Sequence, residues 1–387
     1  MLLPAALSAQ RTAAPPGWTA YLRAFDEYVG SDSIVGAATL VMRDGRILAQ
    51  HATGFGDRAL RQRVDTNTIF HWGSITKTLT AIAVMQLVER GRLSLDAPVT
   101  GFIPELRRVH NPFGPMDSIT VRMLVSHSAG FQAGTWPWTR GRTWEPFEPT
   151  AWDQLVAMMP YMEVSFKPGS RYSYSNPAFV YLARIVEGVT GDPWEAYVQK
   201  NIFTPLRLWR SYFNSTPYHL AEHRSNNYTV RRDSAGAWRV TANGRDFNPG
   251  ITIPNGGWNA PLGDLASYVT FLTGATHGDE GTRRLFETIL PRKRLEQMWT
   301  PLYATSADTV TGEWMGLSFF VTRQNGQRIV GHTGSQAGFR AFFYWNPESR
   351  TAVIAAFNTN NPADPRRSAD GYRTVRAIAW DLLRQSP

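Results

Sequence analysis

The sequence predicts an α/β fold: an antiparallel sheet of about five or more strands, flanked by helices, with an inserted, mostly helical domain. β-Rich runs occur near both ends of the chain, two within residues 37–50 and at least three within residues 317–357. Residues between about 100 and 255 indicate helices joined by loops rich in Pro, Gly and Trp. This pattern is typical of one sheet that both chain ends complete. We expect α/β segments at 17–100 and 256–387 and the inserted domain at 101–255.

Turn dipeptides separate the runs that we assign to strands. Asp44-Gly45, which favours a two-residue hairpin turn, lies between the first two runs. Asn325-Gly326 and Asn346-Pro347 separate the later runs in the same way. The sequence therefore predicts strands at Ala38–Met42, Arg46–Gln50, Leu317–Thr322, Arg328–His332, Phe339–Trp345 and Thr351–Phe357.

Apolar spacing predicts the helices. Apolar residues recur at steps of three and four from Ile75 to Val88, and Gly91 follows where a C-cap belongs. Pro261 fits the first turn of another helix, and the polar segment 224–250 predicts a small hairpin around Ser234-Ala235-Gly236. The further helices are expected at 119–127, 150–160, 177–190, 192–203, 261–273 and 368–384.

Composition excludes several classes of protein. The chain has 387 residues, 43% hydrophobic and 18% charged, and no cysteine, which excludes disulfides, cysteine nucleophiles and thiolate metal sites. Its net charge of +9 is spread without a basic run, so we expect no nucleic-acid partner. No segment approaches the roughly 18 apolar residues of a membrane span. Residues 1–16 resemble the end of a secretory signal peptide with a linker, so we expect a periplasmic or secreted protein.

The start of the first long helix carries Ser74 and Lys77, three residues apart. Residues at this spacing lie on one helix face, about 5–6 Å apart. A lysine with a lowered pKa can take the proton of a serine hydroxyl, and a helix N-terminus favours an oxyanion. By itself the pattern is more typical of an N-cap serine one turn before a solvated lysine.

Two further motifs lie downstream. In Tyr174-Ser175-Asn176, the tyrosine is either a core aromatic or a proton carrier, as tyrosinate or as a relay with Lys77. Asn176 is either an N-cap before Pro177 or a ligand for a substrate carbonyl. His332-Thr333-Gly334 ends a predicted strand, where glycine permits close backbone approach, and the next residue, Ser335, offers an N–H to an oxyanion.

In this order, the three motifs resemble a family of serine hydrolases. The group includes class C β-lactamases, penicillin-binding D-alanyl-D-alanine carboxypeptidases, D-stereospecific aminopeptidases and family VIII carboxylesterases. Its members carry S-x-x-K at a helix start, Y-x-N in the helical domain and K-T-G or H-T-G on a sheet strand. The resemblance runs from about residue 20 to 380 and includes Thr68-Ile69-Phe70, 91–96, 124–131, Lys167-Pro168-Gly169, Gly256-Gly257-Trp258 and Gly331 before the last motif.

The resemblance implies the β-lactamase/penicillin-binding-protein fold and an acyl-enzyme mechanism. In that mechanism Ser74 attacks an ester or amide carbonyl, Lys77 and Tyr174 move protons, and the N–H groups of Ser74 and Ser335 hold the oxyanion. Asn176 and the segment 332–334 would contact substrate. No metal or organic cofactor is implied. We expect a monomer that takes a small-molecule or peptide substrate.

One departure from the β-lactamase pattern bears on the substrate. His332 stands where typical β-lactamases have a lysine, whose permanent charge suits the β-lactam carboxylate. Hydrolysis of D-amino-acid peptides and of carboxylic esters are therefore the two leading alternatives, ahead of a true β-lactamase or a binding protein that acylates without turnover. Arg340 is either a replacement cation or, as we favour, an exposed strand arginine. The stretch Trp136–Trp144 either borders the pocket or packs on the helical domain.

Two other histidine motifs give weaker hypotheses. His127 matches a position of the resemblance, and we expect it to be a structural residue. His219 and His223 fit H-x-x-E-H, which on an α-helix could bind zinc. Pro217 and the polar residues after 224 leave room for only one or two turns, and no third ligand is identifiable. We therefore expect no metal site.

Overall fold

One large antiparallel sheet forms the centre of the computed structural model, which describes residues 14–132, 149–276, 278–306, 312–324 and 326–385. Among these residues, nine strands follow the order β3-β2-β1-β13-β12-β11-β10-β9-β8. The strands and their bounds are β1 (Gly36–Arg43), β2 (Arg46–Asp57), β3 (Gln62–Arg63), β4 (Ile69–His71), β5 (Asn227–Arg232), β6 (Trp238–Gly244), β7 (Asn259–Pro261), β8 (Tyr303–Ala304), β9 (Glu313–Met315), β10 (Phe320–Gln324), β11 (Gln327–Gln336), β12 (Phe339–Asn346), β13 (Thr351–Phe357) and β14 (Thr359–Asn360). Because β1 pairs with β13, the two ends of the chain build one sheet, as predicted.

The helices cover both faces of this sheet. In the described ranges they are α1 (Trp18–Ser31), α2 (Thr76–Glu89), α3 (Val121–Val125), α4 (Trp152–Met158), α5 (Asn176–Thr190), α6 (Trp194–Val198), α7 (Ile253–Gly256), α8 (Leu262–Thr273), α9 (Glu280–Ile289), α10 (Arg292–Met298) and α11 (Pro365–Arg384). None of them is at once long and apolar enough to cross a bilayer.

Strand alternation sorts the core into two clusters. Phe343 on β12 packs in a large cluster with residues of α2 and α8, such as Leu79. Its neighbour Phe342 packs in a smaller cluster with α1 and α11, such as Phe25. Successive side chains of a strand point to opposite faces, so these clusters lie on opposite sides of the sheet. We call the two sides the α2 face and the α1–α11 face.

Turn chemistry explains the first hairpin. Asp44 and Gly45 both have positive φ, 49° and 76°, which is the conformation of a type I′ turn. Arg43 and Arg46 therefore pair directly across it. The small hairpin predicted at 224–250 is also present, as β5 and β6, and β14 pairs with β5 to complete a three-stranded sheet.

Several boundaries differ from the expectations. The strand predicted from Leu317 begins at Phe320, and the H-T-G strand continues to Gln336. Pro261 is the N-cap of α8 and not part of its first turn. The helix expected at 192–203 is α-helical only at Trp194–Val198 and continues as a π-helix, Gln199–Phe203.

Two expectations remain untested. The domain limits at residues 100 and 255 stay predictions. The stretch Trp136–Trp144 and the first thirteen residues lie outside the described residues.

Candidate active site

The loop before α2 presents Ser74. The short strands β4 and β7 pair, and Trp72 N–H continues that pairing by donating to Trp258 O at 2.8 Å. A single 3-10 turn, Gly73–Ile75, then leads into α2. Thr76 Oγ1 donates to Gly73 O at 2.7 Å and accepts from Trp258 N–H at 3.0 Å, which ties the turn to β7. Ser74 is partly exposed at this rigid corner.

Lys77 lies beneath Ser74 in a dry environment. Its Nζ lies 3.2 Å from Ser74 Oγ and donates to the Asn255 carbonyl at 2.8 Å. The rings of Tyr174 and Phe179 are 4.8 and 5.6 Å from Nζ. The side chain is fully buried, and among the described residues no carboxylate pairs with it. Burial therefore lowers the pKa of Lys77 well below the ordinary lysine value, which favours the neutral amine.

Tyr174 lies between Ser74 and His127. Burial raises the pKa of the Tyr174 hydroxyl, and its hydrogen bond to Ser74 offsets that rise only in part. The phenol therefore keeps its proton, which favours the relay over the tyrosinate. The His127 ring stacks on the tyrosine ring at 4.5 Å between centroids.

His127 also holds both chain neighbours of Tyr174. Ser173 N–H donates to His127 O at 2.8 Å, and Ser175 N–H donates to its Nδ1 at 3.0 Å. Because Nδ1 accepts, the ring proton is assigned to Nε2, which has no partner among the described residues. His127 is thus a structural residue of the site, as expected, and its contacts with the tyrosine segment were not predictable from the motif.

The H-T-G strand packs directly against the serine turn. A β-carbon at Gly334 would lie 1.9 Å from Trp72 O and 3.4 Å from Ser74 N. One at Gly73, whose φ is 51°, would lie 2.8 Å from Ser335 N. Only glycine at both positions permits this approach. The amide nitrogens of Ser74 and Ser335 are thereby brought to one place, and Thr333 lies on the same strand.

His332 is a buried, neutral histidine. Its Nδ1 donates to Thr333 O at 2.6 Å, and its Nε2 has no partner among the described residues. Burial first, and then the charge of Lys77, lower its pKa to about 3. At physiological pH this position therefore carries no positive charge, in line with the departure from the lysine pattern.

The structure rules out the N-cap alternative for Asn176 and the exposed position favoured for Arg340. Asn176 is not the N-cap of α5: Ser175 is, because its Oγ accepts from Ala178 N–H at 3.3 Å, and Asn176 is the first helical residue. The Asn176 carbonyl accepts from Asn255 Nδ2 at 3.4 Å, so the residue does border the site. The Arg340 side chain is not exposed, and it lies on the opposite face of the sheet from the α2 side that carries Ser74. It lies on the α1–α11 face, where it donates to Tyr28 Oη at 2.9 Å.

The structure lacks the α-helix that zinc binding by His219 and His223 would need. His219 and His223 lie on a 3-10 helix, Tyr218–His223, and not on an α-helix that would place them on one face. In the part of the chain that the structure describes, no three His, Asp or Glu side chains are grouped as metal ligands.

The sequence analysis missed Asn255, whose carbonyl accepts from Lys77 Nζ. The only signal available for it was its position next to Gly256-Gly257-Trp258.

Comparisons with known proteins agree on one family. A family model described as Beta-lactamase matches residues 22–377. The chain is 33% identical over 197 residues to the esterase EstB of Burkholderia gladioli and 21% identical over 343 residues to the protein flp of Staphylococcus aureus. It spans 48% of the esterase's length, with 48% of this chain matched, and 61% of flp, with 86% of this chain matched.

Solved structures of similar fold come from the same group of proteins. The octameric penicillin-binding protein homologue from Pyrococcus abyssi has a TM-score of 0.73 at 27% identity, covering 92% of this chain and 77% of that one. The D-stereospecific amidohydrolase from a Streptomyces species has a TM-score of 0.68 at 25% identity, covering 91% and 97%. A class C beta-lactamase at 19% identity matches the fold with a TM-score of 0.72, covering 95% and 96%.

Proposed function

The chain belongs to the beta-lactamase family of serine hydrolases, and from that premise we propose that it cleaves carboxylic esters through an acyl-enzyme on Ser74. The observation that carries the proposal is the contact of Ser74 Oγ with a buried lysine Nζ at 3.2 Å. A lysine without a counter-ion in a dry site is a base for the serine proton.

Acylation follows from this geometry. The Ser74 hydroxyl loses its proton to neutral Lys77 Nζ as Oγ bonds to the carbonyl carbon, and the carbonyl π electrons move to oxygen. The amides of Ser74 and Ser335 stabilise that oxyanion, an effect commonly worth about 3–4 kcal/mol per donor. When the tetrahedral intermediate collapses, the carbon–oxygen bond to the leaving alkoxide breaks. Lys77 then returns the proton to the alkoxide through the Tyr174 hydroxyl.

Deacylation reverses these roles. A water molecule gives a proton to the Tyr174–Lys77 pair and adds to the acyl carbon, and the second collapse restores the Ser74 hydroxyl and releases the carboxylic acid. Both steps need Lys77 to alternate between its neutral and protonated forms. Burial lowers the pKa of Lys77, which favours the neutral amine that accepts the proton in each step.

Because His332 is neutral, the site favours a substrate without a carboxylate. Neither His332 nor His127 provides a cation for a substrate carboxylate, because burial lowers the pKa of each. The likeness to the esterase EstB over about half of this chain favours the ester. The likeness to the D-stereospecific amidohydrolase supports D-amino-acid amides as the second candidate. A β-lactam carries the carboxylate that this site is poorly suited to bind.

Intact-protein mass spectrometry over time tests the proposal. The protein is mixed separately with a short-chain aryl ester, a D-amino-acid amide and a penicillin, and Ser74→Ala is the control. We expect ester turnover that the substitution abolishes. A persistent penicillin adduct without ester turnover would contradict the esterase assignment and favour a penicillin-binding protein. Normal turnover in the Ser74→Ala variant would refute the assignment of Ser74 as the nucleophile.

The monomeric state and the export of the chain stay predictions.

A further inference from the structure

A second buried histidine lies three residues before the nucleophile. His71 ends β4, and its ring is 2% exposed and packs edge-on against Phe247 at 4.8 Å. Its Nε2 lies 3.0 Å from Gln336 Oε1, and its Nδ1 lies 2.9 Å from Asn259 Oδ1. The mechanism above uses none of these side chains.

The hydrogen-bond network fixes the orientation of the Gln336 amide. Thr252 Oγ1 donates to Pro249 O at 2.5 Å, so it can only accept from Gln336 Nε2, at 3.3 Å. The amide oxygen must therefore face His71. Packing restricts the same side chain, because a β-carbon at Gly256 would lie 2.4 Å from Gln336 Oε1.

Asn259 is fixed in the same way. Its Nδ2 donates to Gly257 O at 3.2 Å, which leaves Oδ1 facing His71. Burial and the charge of Arg224 lower the pKa of His71 to about 4, so the ring is neutral. A neutral imidazole carries a single ring proton, so it donates to one of these two amide oxygens, on β7 and β11, and only packs against the other.

These contacts join the parts that must align for catalysis. His71 is on the segment that leads to Ser74, and Gln336 directly follows Ser335 on β11. Thr252 precedes α7, whose Asn255 carbonyl accepts from Lys77. Resting on the proposed function, we infer that His71 and Gln336 are positioning residues that hold the Ser335 amide at the oxyanion site.

Removing the Gln336 amide tests this inference. Gln336→Leu keeps the side-chain volume and deletes both amide contacts. A small misplacement of one oxyanion donor costs up to about 10²-fold, so we expect kcat for the aryl ester to fall about 10–100-fold with KM within about threefold. Affinity for phenylboronic acid, which forms a tetrahedral adduct with the serine, should fall in parallel. All rates are expressed per titrated active site.

Three further variants separate positioning from folding. Gln336→Glu keeps an acceptor facing His71 and should retain more kcat than Gln336→Leu. Thr252→Val removes the second anchor of Gln336 and should lower kcat in the same direction by less. Arg340 pairs with Ser335 on the neighbouring strand, but the Arg340 side chain lies on the α1–α11 face. Arg340→Met therefore serves as the control and should leave kcat per site unchanged.

The outcomes distinguish this inference from the proposed function. Unchanged kcat and boronate affinity in Gln336→Leu, or an equal loss in Arg340→Met, would overturn the positioning role while the wild-type protein still turns over ester. A wild-type protein with neither ester turnover nor a boronate adduct on Ser74 would overturn the proposed function and this inference with it.

Discussion

The two faces of the sheet treat buried polar groups in opposite ways. On the α1–α11 face, Asp32 accepts from Ser368 Oγ at 2.6 Å and from Asn361 Nδ2 at 3.0 Å. Arg340 lies 4.0 Å from the same carboxylate and donates to Ser368 Oγ at 2.7 Å and to Asn360 Oδ1 at 2.8 Å. This network is charged and its members satisfy one another.

On the α2 face the buried titratable groups around Ser74 are short of partners. Lys77 has no ion pair, and the Nε2 atoms of His127 and His332 have no hydrogen-bond partner within the described ranges. Because burial without a counter-ion penalises charge, these groups are driven to their neutral forms. The difference teaches that one face uses buried polarity to hold the fold, whereas the other keeps its buried groups neutral, which is what the proposed proton transfer needs.

The largest expected effect comes from removing the buried lysine. Lys77→Met keeps the shape of the side chain but removes the base, so kcat/KM should fall about 10²–10⁴-fold. Stability should change in the opposite direction. The pKa of Lys77 is lowered in the folded state, so at a pH below the ordinary lysine pKa burying this side chain costs free energy, because the charged amine is disfavoured there. Lys77→Met removes this cost and should raise the free energy of unfolding at pH 7.

The pH dependence of unfolding sharpens this prediction. Between the folded and unfolded pKa values of Lys77 the unfolded chain binds more protons, so wild-type stability should rise with pH in that window. The variant Lys77→Met should lack this rise, as chemical denaturation at several pH values would reveal. Lys200→Met is the matched control, because Lys200 is exposed and paired with Asp192 at 2.7 Å. A loss of stability in Lys77→Met would contradict our account of the α2 face.

Breaking the network on the α1–α11 face should have the opposite signature. Arg340→Met leaves the Asp32 carboxylate buried without its cation, which should lower the free energy of unfolding by about 3 kcal/mol. Activity per folded site should stay unchanged. Burial already raises the pKa of Asp32, so the deficit should shrink as the pH falls and the carboxyl is protonated.

A surface arginine provides the comparison for that experiment. Arg350 pairs with Asp44 at 2.5 Å, but both side chains are exposed by two fifths or more, so Arg350→Met should change stability by less than about 1 kcal/mol. If Arg340→Met were equally mild at neutral pH, or if it lowered kcat, the distinction between the two faces would be wrong.

The sequence predicted the contact of Ser74 with Lys77 better than it predicted the positions of the residues around them. The motifs placed Ser74 beside Lys77 because a helix brings residues three apart together, and β-rich runs between turn dipeptides placed the H-T-G strand in the sheet. Arg340 was misplaced because both sides of β12 are buried, so alternation could not tell which face it joins. Asn255 acts through a backbone carbonyl, which any residue carries. The three-residue strands β4 and β7 are too short for a periodic pattern.

The smallest expected effect concerns His332, the departure that bears on substrate choice. Because burial and the charge of Lys77 lower its pKa to about 3, His332 should not titrate between pH 5 and 9. His332→Asn, which keeps a donor for the Thr333 carbonyl, should leave the pH profile of kcat/KM unchanged and alter its value by less than about fivefold. His332→Lys should instead improve esters that bear a carboxylate relative to uncharged ones, because it adds the missing cation. Disappearance of a limb near pH 6–7 in the asparagine variant would mean that His332 titrates in the active enzyme. Unchanged selectivity in the lysine variant would mean that charge at this position does not select the substrate.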